Sequence, residues 1–146
     1  MTALSELFAA HHATCDLAFA DAEVAGVEAR WTEATTTLGR FDALMKTHFA
    51  SEEETLFPAF EKATGMTQGP TQMMRLEHEQ MRALLGRLGT AVTTQDPDEF
   101  AGAAETLLVL MQQHNLKEER MLYPMCDRAV GGDAGVVAAV TAQLAS

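Results

Sequence analysis

Apolar side chains recur every three or four residues along most of this sequence, the spacing that places them on one face of an α-helix. The pattern predicts four long helices, which begin near Thr2 or Ser5, at about Glu28, at Pro70 and after Asp96. Their apolar stripes contain Leu4, Phe8, Cys15 and Phe19; Leu38, Phe41, Leu44 and Met45; Met74, Met81, Leu85 and Leu88; and Leu107, Leu110, Met111 and Leu122. Strand-like alternation is absent, so the sequence predicts an all-α protein.

Glycine, proline and one capping residue indicate where these helices begin and end. Gly26 is expected to end the first helix. Pro58 and Pro124 have no backbone N–H and clash with the preceding turn, so a break or kink is predicted at each. Asp96 is a suitable N-cap for the fourth helix. Short connections between long helices predict an antiparallel, up-down-up-down four-helix bundle over roughly residues 3–130.

A short fifth helix is predicted after two glycines, over residues 133–144. One of its faces carries Val136, Val137, Val140 and Leu144. We expect this small stripe to dock either on the bundle or on a second subunit, which would give a homodimer. A length of 146 residues is typical of one domain with a buried core, so residues 1–146 are predicted to form a single domain.

One polar pattern occurs twice at a constant offset. HFASEEETLFPAFEKATG begins at His48 and returns as HNLKEERMLYPMCDRAVG at His114, an offset of 114 − 48 = 66 residues. The same offset carries His12 onto His78. Each half therefore supplies one lone histidine and one His-x-x-x-Glu pair, which predicts pseudo-two-fold symmetry. The six residues are His12, His48, Glu52, His78, His114 and Glu118.

These six side chains lie in line with residues that must face the core. Residues i and i+4 of a helix point the same way, so each His and its Glu share a face. Burying an unpaired carboxylate costs several kcal/mol, and we therefore predict a bound metal pair. Six ligands exceed the needs of a tetrahedral zinc. They suit two six-coordinate metals about 3.5 Å apart, bridged by both carboxylates and an oxo or hydroxo group, with about two positions open. Mixed nitrogen and oxygen ligation favours iron.

Four further residues are candidates for supporting roles or extra ligation. Glu119 and its counterpart Glu53 follow their histidines at i+5 and point roughly 140° away, so we predict that they lie outside the ligand set. Tyr123 either reaches an open coordination position or makes a hydrogen bond. Arg82 aligns with Asp16 under the offset of 82 − 16 = 66, and we predict that these two pair near the site.

Another histidine, His11, stands beside the first predicted ligand. Under the offset it aligns with Glu77 rather than with a histidine, so we predict a surface neighbour. The two cysteines, Cys15 and Cys126, are too few for a disulfide framework, and we expect both to be reduced thiols.

The pattern as a whole resembles the hemerythrin-like family, also called the HHE cation-binding domain. The resemblance covers residues 3–130 and includes Leu-Phe-Pro or Leu-Tyr-Pro after the glutamates. It implies a non-haem di-iron site that binds dioxygen reversibly, senses oxygen or iron, or handles nitric oxide or peroxide. Oxygen carriers have His-x-x-x-His on the third helix, whereas this chain has His78-x-x-x-Arg82. The seven protein ligands of the carriers become six, which favours a sensor, redox or storage role.

Charge and hydropathy narrow the choice of partners. The formal net charge of −11 argues against nucleic acid and anionic membranes as partners. No apolar stretch approaches the roughly 20 residues that cross a bilayer. No signal peptide is recognisable, so a cytoplasmic location is expected.

Four functions are compatible with the sequence. We rank first a di-iron protein that binds dioxygen or a related diatomic molecule. A redox enzyme, such as a peroxidase, an oxidase or a nitric oxide scavenger, ranks second because no separate substrate pocket is visible. Ferritin-like storage is disfavoured because the Glu-x-x-His motif is absent. A metal-free helical interaction module is the fourth alternative, and a chelator would leave its stability unchanged.

Overall fold

The computed structural model describes residues 2–146, and their regular structure is entirely helical. Helix α1 spans Leu4–Val27. Helix α2, Trp31–Ser51, continues through a π-helical segment, Glu52–Leu56, into α3, Phe57–Thr64. Helix α4 spans Pro70–Thr94. Helix α5, Pro97–Lys117, continues through a second π segment, Glu118–Leu122, into α6, Tyr123–Val130, and α7 spans Ala134–Ala145. The predicted all-α class is confirmed.

The long helices pack side by side as a helical bundle. Helix α1 packs chiefly against α2 and α4 against α5, and contacts of α1 with α5 and of α2 with α4 close the bundle. Two apolar clusters fill its interior, one around Phe41, Leu88 and Phe100 and the other around Phe8 and Phe60. A polar layer of histidines and glutamates lies between them. Within residues 2–146, no helix is long and apolar enough to cross a membrane.

Helix ends follow local chemistry that the sequence displays. The side chain of Asp96 accepts a hydrogen bond from the backbone N–H of Glu99 at 3.0 Å, which satisfies one free donor of the first turn. Gly65 ends α3 with φ 75°, in the left-handed region that glycine adopts without strain. The cap at Asp96 agrees with the sequence-based prediction.

Of the predicted break or kink at the two prolines, the break does not occur, and the helix changes instead to π geometry just before each proline. The N–H of Phe57 donates to the carbonyl of Glu52, five residues back, and the second π segment repeats this bond. The wider turn lets a new α-helical segment begin at Phe57, so that Pro58 stands in a first turn, where no N–H is needed. The carbonyl of Glu53 accepts a hydrogen bond from Arg75 at 3.4 Å. The helix therefore continues past the proline.

The short helix α7 covers one end of the bundle. Val137 and Val140 are buried, and Val136 and Leu144 pack against the same apolar cluster. Of the two alternatives for this stripe, docking on the bundle is the one that the structure shows. The face is consequently occupied within the chain, and a homodimer would need another surface.

Candidate metal centre

The six predicted ligands meet inside the bundle. One histidine comes from each of α1, α2, α4 and α5, and each π segment begins with one of the two glutamates. All six side chains are buried, and Glu52, His78 and Glu118 have no exposed surface. The helical stripes thus place four imidazoles and two carboxylates at one level, between the two apolar clusters.

The two carboxylates lie between pairs of imidazoles. Four nitrogen–oxygen distances define this arrangement: Glu118 Oε1 to His12 Nε2, 3.1 Å, and to His114 Nε2, 3.2 Å; Glu52 Oε1 to His48 Nε2, 3.3 Å, and to His78 Nε2, 3.2 Å. Each carboxylate therefore contacts one histidine from each half of the sequence. This is the placement that a bridging ligand requires.

The imidazoles form two neighbouring pairs. The ring centroids of His12 and His48 are 4.6 Å apart, and those of His78 and His114 are 5.0 Å apart. Ligand atoms of the first pair and Glu118 lie within 4.8 Å of one another, as do those of the second pair with both glutamates. We call these groups the first position, at His12 and His48, and the second position, at His78 and His114.

Several polar atoms at the centre lack hydrogen-bond partners. Within residues 2–146, His78 Nε2, His114 Nε2, Glu52 Oε1 and Glu118 Oε2 are buried and make no hydrogen bond. An unsatisfied buried polar atom costs roughly 1–3 kcal/mol, so four of them in one place need an explanation. Nitrogen and carboxylate donors that converge without bonding to one another fit a pair of cations.

Tyr123 lies at the first position and is fully buried. Its hydroxyl is 2.8 Å from Glu52 Oε2 and 2.8 Å from Glu118 Oε1, and it lies 3.2 Å from His12 Nε2 and 3.3 Å from His48 Nε2. Burial, together with the two carboxylates, raises the pKa of the phenol well above its usual value. The hydroxyl therefore keeps its proton and donates it, which matches the hydrogen-bonding alternative for this residue.

Each inward-facing imidazole is held from behind through its other ring nitrogen. The four Nδ1 contacts are His12 to Glu119 Oε2, 2.7 Å; His78 to Glu53 Oε2, 2.7 Å; His114 to Glu77 Oε1, 2.8 Å; and His48 to His11 Nδ1, 2.9 Å. Such contacts fix the ring orientation and direct Nε2 toward the centre. Glu119 thus lies behind His12 and Glu53 behind His78, and their place outside the ligand set stays a prediction.

The predicted pairing of Arg82 with Asp16 is wrong. The guanidinium of Arg82 binds Glu53 through Nη2 to Oε1 at 2.7 Å and Nη1 to Oε2 at 3.1 Å, whereas Asp16 is exposed. Residues that align under an internal repeat occupy equivalent places in the two halves, which does not bring them into contact. Burial opposes ionisation of Glu53, but hydrogen bonds from His78 and Arg82 lower the pKa of this carboxyl to about 2.

The prediction that His11 is a surface neighbour is also wrong. This residue is only 7% exposed, and its Nδ1 contacts both His48 and the sulfur of Cys15, the latter at 3.6 Å. Burial and two neighbouring imidazoles lower the pKa of His11 to about 4. Glu77, its counterpart, was likewise missed. Each of these two polar residues directly precedes a lone histidine, and this position in the sequence could have indicated a supporting role.

Arg82 is expected to strengthen metal binding through Glu53. We expect an Arg82→Ala variant to bind divalent cations about tenfold more weakly, because outer contacts of this kind are worth 10–100-fold in affinity. Competition with a chromophoric chelator would measure the change. Arg87→Ala, an exposed arginine of the same helix that pairs with Glu99, is the matched control. If Arg82→Ala bound divalent cations as tightly as the wild-type protein, the support through Glu53 would be refuted.

Both cysteines are free and buried, as predicted for reduced thiols. Burial raises the pKa of Cys15 to about 12 and also raises that of Cys126. We expect neither thiol to react with a disulfide reagent at pH 8 in the folded protein, and both to react after denaturation. Rapid modification of one thiol without unfolding would contradict this structure.

One groove lies away from this centre. It has a volume of about 560 Å³, runs between α2 and α4, and is lined by Trp31, Leu38, Gly39, Leu85 and Gly89 among others. None of the six predicted ligands borders it. This groove is therefore separate from the candidate metal centre.

Comparison with known protein families agrees with the geometry. The family model of the hemerythrin HHE cation-binding domain matches residues 2–126. The chain therefore belongs to the hemerythrin HHE family, and its histidine and glutamate clusters could hold metal ions. A search of curated proteins and a search of solved structures gave no significant match.

Proposed function

We propose that this protein is a hemerythrin-like di-iron protein that binds dioxygen or a related diatomic molecule. The observation that supports it most directly is the buried set of four imidazole nitrogens and two shared carboxylates, with several donor atoms unsatisfied. In this proposal, His12 and His48 would hold one iron and His78 and His114 the other, and Glu52 and Glu118 would be shared between them. An iron pair with an oxo or hydroxo bridge supplies the capacity to bind and reduce a small diatomic molecule.

The protein's own residues orient the donors and keep water away. Contacts behind each ring hold Nε2 toward the centre, so little reorganisation is needed when a cation enters. Buried methionines line the surrounding core: Met45, Met74, Met81 and Met111. Tyr123 donates its proton toward the shared carboxylates and supplies the hydrogen-bond donor nearest to the first position.

We also propose the finer architecture that this site needs. Residues 1–146 act as one domain, and the four long helical rods run up, down, up and down. The short links support this arrangement, since only residues 28–30 join α1 to α2 and residues 95–96 join α4 to α5. An antiparallel arrangement brings each His-x-x-x-Glu pair to the same level as the opposing lone histidine.

Metal analysis with absorption spectroscopy tests the proposed function. Protein reconstituted anaerobically with ferrous salt should contain two irons per chain. Admission of air should produce near-ultraviolet charge-transfer bands of a bridged ferric pair, and removal of oxygen should reverse the change for a carrier or sensor. The proposal fails if the protein retains no iron after desalting or if its spectrum does not respond to air.

The position of the Tyr123 hydroxyl supports a redox enzyme as the second candidate function. The buried phenol directs its single proton at the two carboxylates, 2.8 Å from each, and so places a hydrogen-bond donor beside the first position, where a ligand would gain negative charge on reduction. If the protein turns over peroxide, dioxygen or nitric oxide, Tyr123→Phe should lower kcat at least about tenfold and leave the iron content unchanged. Absence of turnover in the wild-type protein would leave the binding function as the only one.

A further inference from the structure

The second position has charged support behind one of its rings. His114 Nδ1 contacts Glu77 Oε1 at 2.8 Å, and the other carboxylate oxygen of Glu77 is bound by the ammonium group of Lys117. Only 13% of the Glu77 side chain is exposed. A carboxylate acceptor increases the basicity of the imidazole and so strengthens its bond to a metal.

The first position has an imidazole, not a carboxylate, at the equivalent place. His48 Nδ1 contacts the imidazole of His11 at 2.9 Å, and His11 occupies in the first half the position that Glu77 occupies in the second, since 77 − 11 = 66. Ser51 stands where the other half has Lys117, since 117 − 51 = 66. Within residues 2–146, the remaining nitrogen of His11 makes no hydrogen bond. One half therefore has a carboxylate bound by its own cation where the other half has an imidazole.

We infer that the two metal positions differ in their affinity for a cation. The main cause is that one half has Glu77 where the other half has His11. Glu77 strengthens the second position through His114, and His11 orients His48 without adding to its basicity. The inference rests on the proposed function, because it requires both positions to take a cation. A single equivalent of a divalent cation should occupy the second position first.

The contacts behind the other two rings differ less. His12 and His78 are each backed by a glutamate at 2.7 Å, so their support is of the same chemical kind. Glu119 is 43% exposed, whereas Glu53 is 22% exposed and is bound by Arg82, which adds a smaller difference in favour of the second position. The change from Glu77 in one half to His11 in the other is the one that alters the chemical kind of a supporting group.

Reciprocal substitutions test the inference with cobalt(II) as the probe. One equivalent of cobalt(II), added anaerobically, should shift the ring N–H proton resonance of His114 in the wild-type protein and leave that of His48 in place. Glu77→His copies the first position, and His11→Glu copies the second. Glu77→His should lower the tighter of the two cation affinities by about 10–100-fold. The double variant with Glu77→His and His11→Glu should fill the first position before the second.

Milder variants keep the test decisive if a swapped side chain disturbs folding. Glu77→Gln removes the charge and keeps the shape, so it should weaken the tighter affinity at least about tenfold. Glu105→Gln, an exposed glutamate of α5, is the matched control. Circular dichroism reports whether each variant is folded.

Two results would overturn the inference. In the first, one equivalent of cobalt(II) spreads evenly over both positions or fills the first one. In the second, Glu77→Gln leaves the tighter affinity unchanged. Both results are compatible with a protein that binds two metal ions, so neither would contradict the proposed function. Failure of the wild-type protein to bind any cobalt(II) or iron(II) would overturn the proposed function and the inference together.

Discussion

A Glu118→Gln variant is expected to lose the ability to hold two metal ions. Oε1 of Glu118 lies 3.1 Å from His12 Nε2 and 3.2 Å from His114 Nε2, so this carboxylate serves both positions at once. A neutral amide donates from one end and carries no charge to bind a cation. We expect metal content to fall from two ions per chain to one or none, with affinity reduced by more than about 100-fold.

Elemental analysis after equilibrium dialysis against ferrous or zinc salt measures this change. Glu52→Gln should behave in the same way, since Glu52 contacts His48 and His78 at 3.3 and 3.2 Å. Glu54→Gln, an exposed glutamate of the same π segment, should retain both ions. Two tightly held ions in Glu118→Gln would show that the carboxylate does not bridge the two positions.

Removal of metal by a chelator is expected to lower the thermal stability of the protein strongly. A cation held only by the folded state contributes about 4 kcal/mol when its free concentration is 1,000 times its dissociation constant. Two such ions would contribute about 8 kcal/mol, which corresponds to a decrease in Tm on the order of 15–30 °C for a chain of this size. Differential scanning calorimetry with and without chelator measures the difference.

A variant without bridging carboxylates provides the control. Glu52→Gln combined with Glu118→Gln should melt at one temperature whether or not chelator is present, because it binds no cation that could be removed. Equal melting temperatures of the wild-type protein in metal and in chelator would contradict the metal centre. They would favour a metal-free helical module instead.

When no metal is bound, protonated histidines offset part of the cost of burying the carboxylates. Burial by itself would lower the pKa of His78, but the neighbouring carboxylates of Glu52 and Glu53 outweigh it and raise this pKa to about 9. Burial likewise opposes ionisation of Glu52, and the neighbouring imidazoles hold its pKa well below the usual range. The buried carboxylate is therefore paired with imidazolium in the metal-free protein. Entry of a cation displaces that proton, so metal uptake should be accompanied by proton release.

Much of the candidate site could be located from sequence because its chemistry is local and repeated. A helix places residues four apart on one face, so His48 and Glu52 had to point the same way once the segment was helical. The repeat at 66 residues then assigned His114 and Glu118 to the equivalent place. The structure brings these side chains together inside the bundle, although their binding of metal is still a proposal.

Contacts between helices could not be derived in this way. The partner of Arg82 is Glu53, which lies on a neighbouring helix 29 residues away in the chain. The partner of His48 is His11, 37 residues away. Neither pair shares a helical face, and alignment of the two halves reports equivalence rather than proximity. Only the packing of α1 on α2 and of α4 on α2 decides which side chains meet.

By itself, the sequence determined the helical class, the main helix boundaries and the six inward-facing polar residues, because these follow from periodicity along a single helix and from its repetition. Tertiary structure decided the π segments that carry the helices past Pro58 and Pro124, the burial of His11, and the groups behind each imidazole. These features depend on how the helices fit together, since a widened turn or a buried ring is stable only when neighbouring helices supply its hydrogen bonds and exclude water.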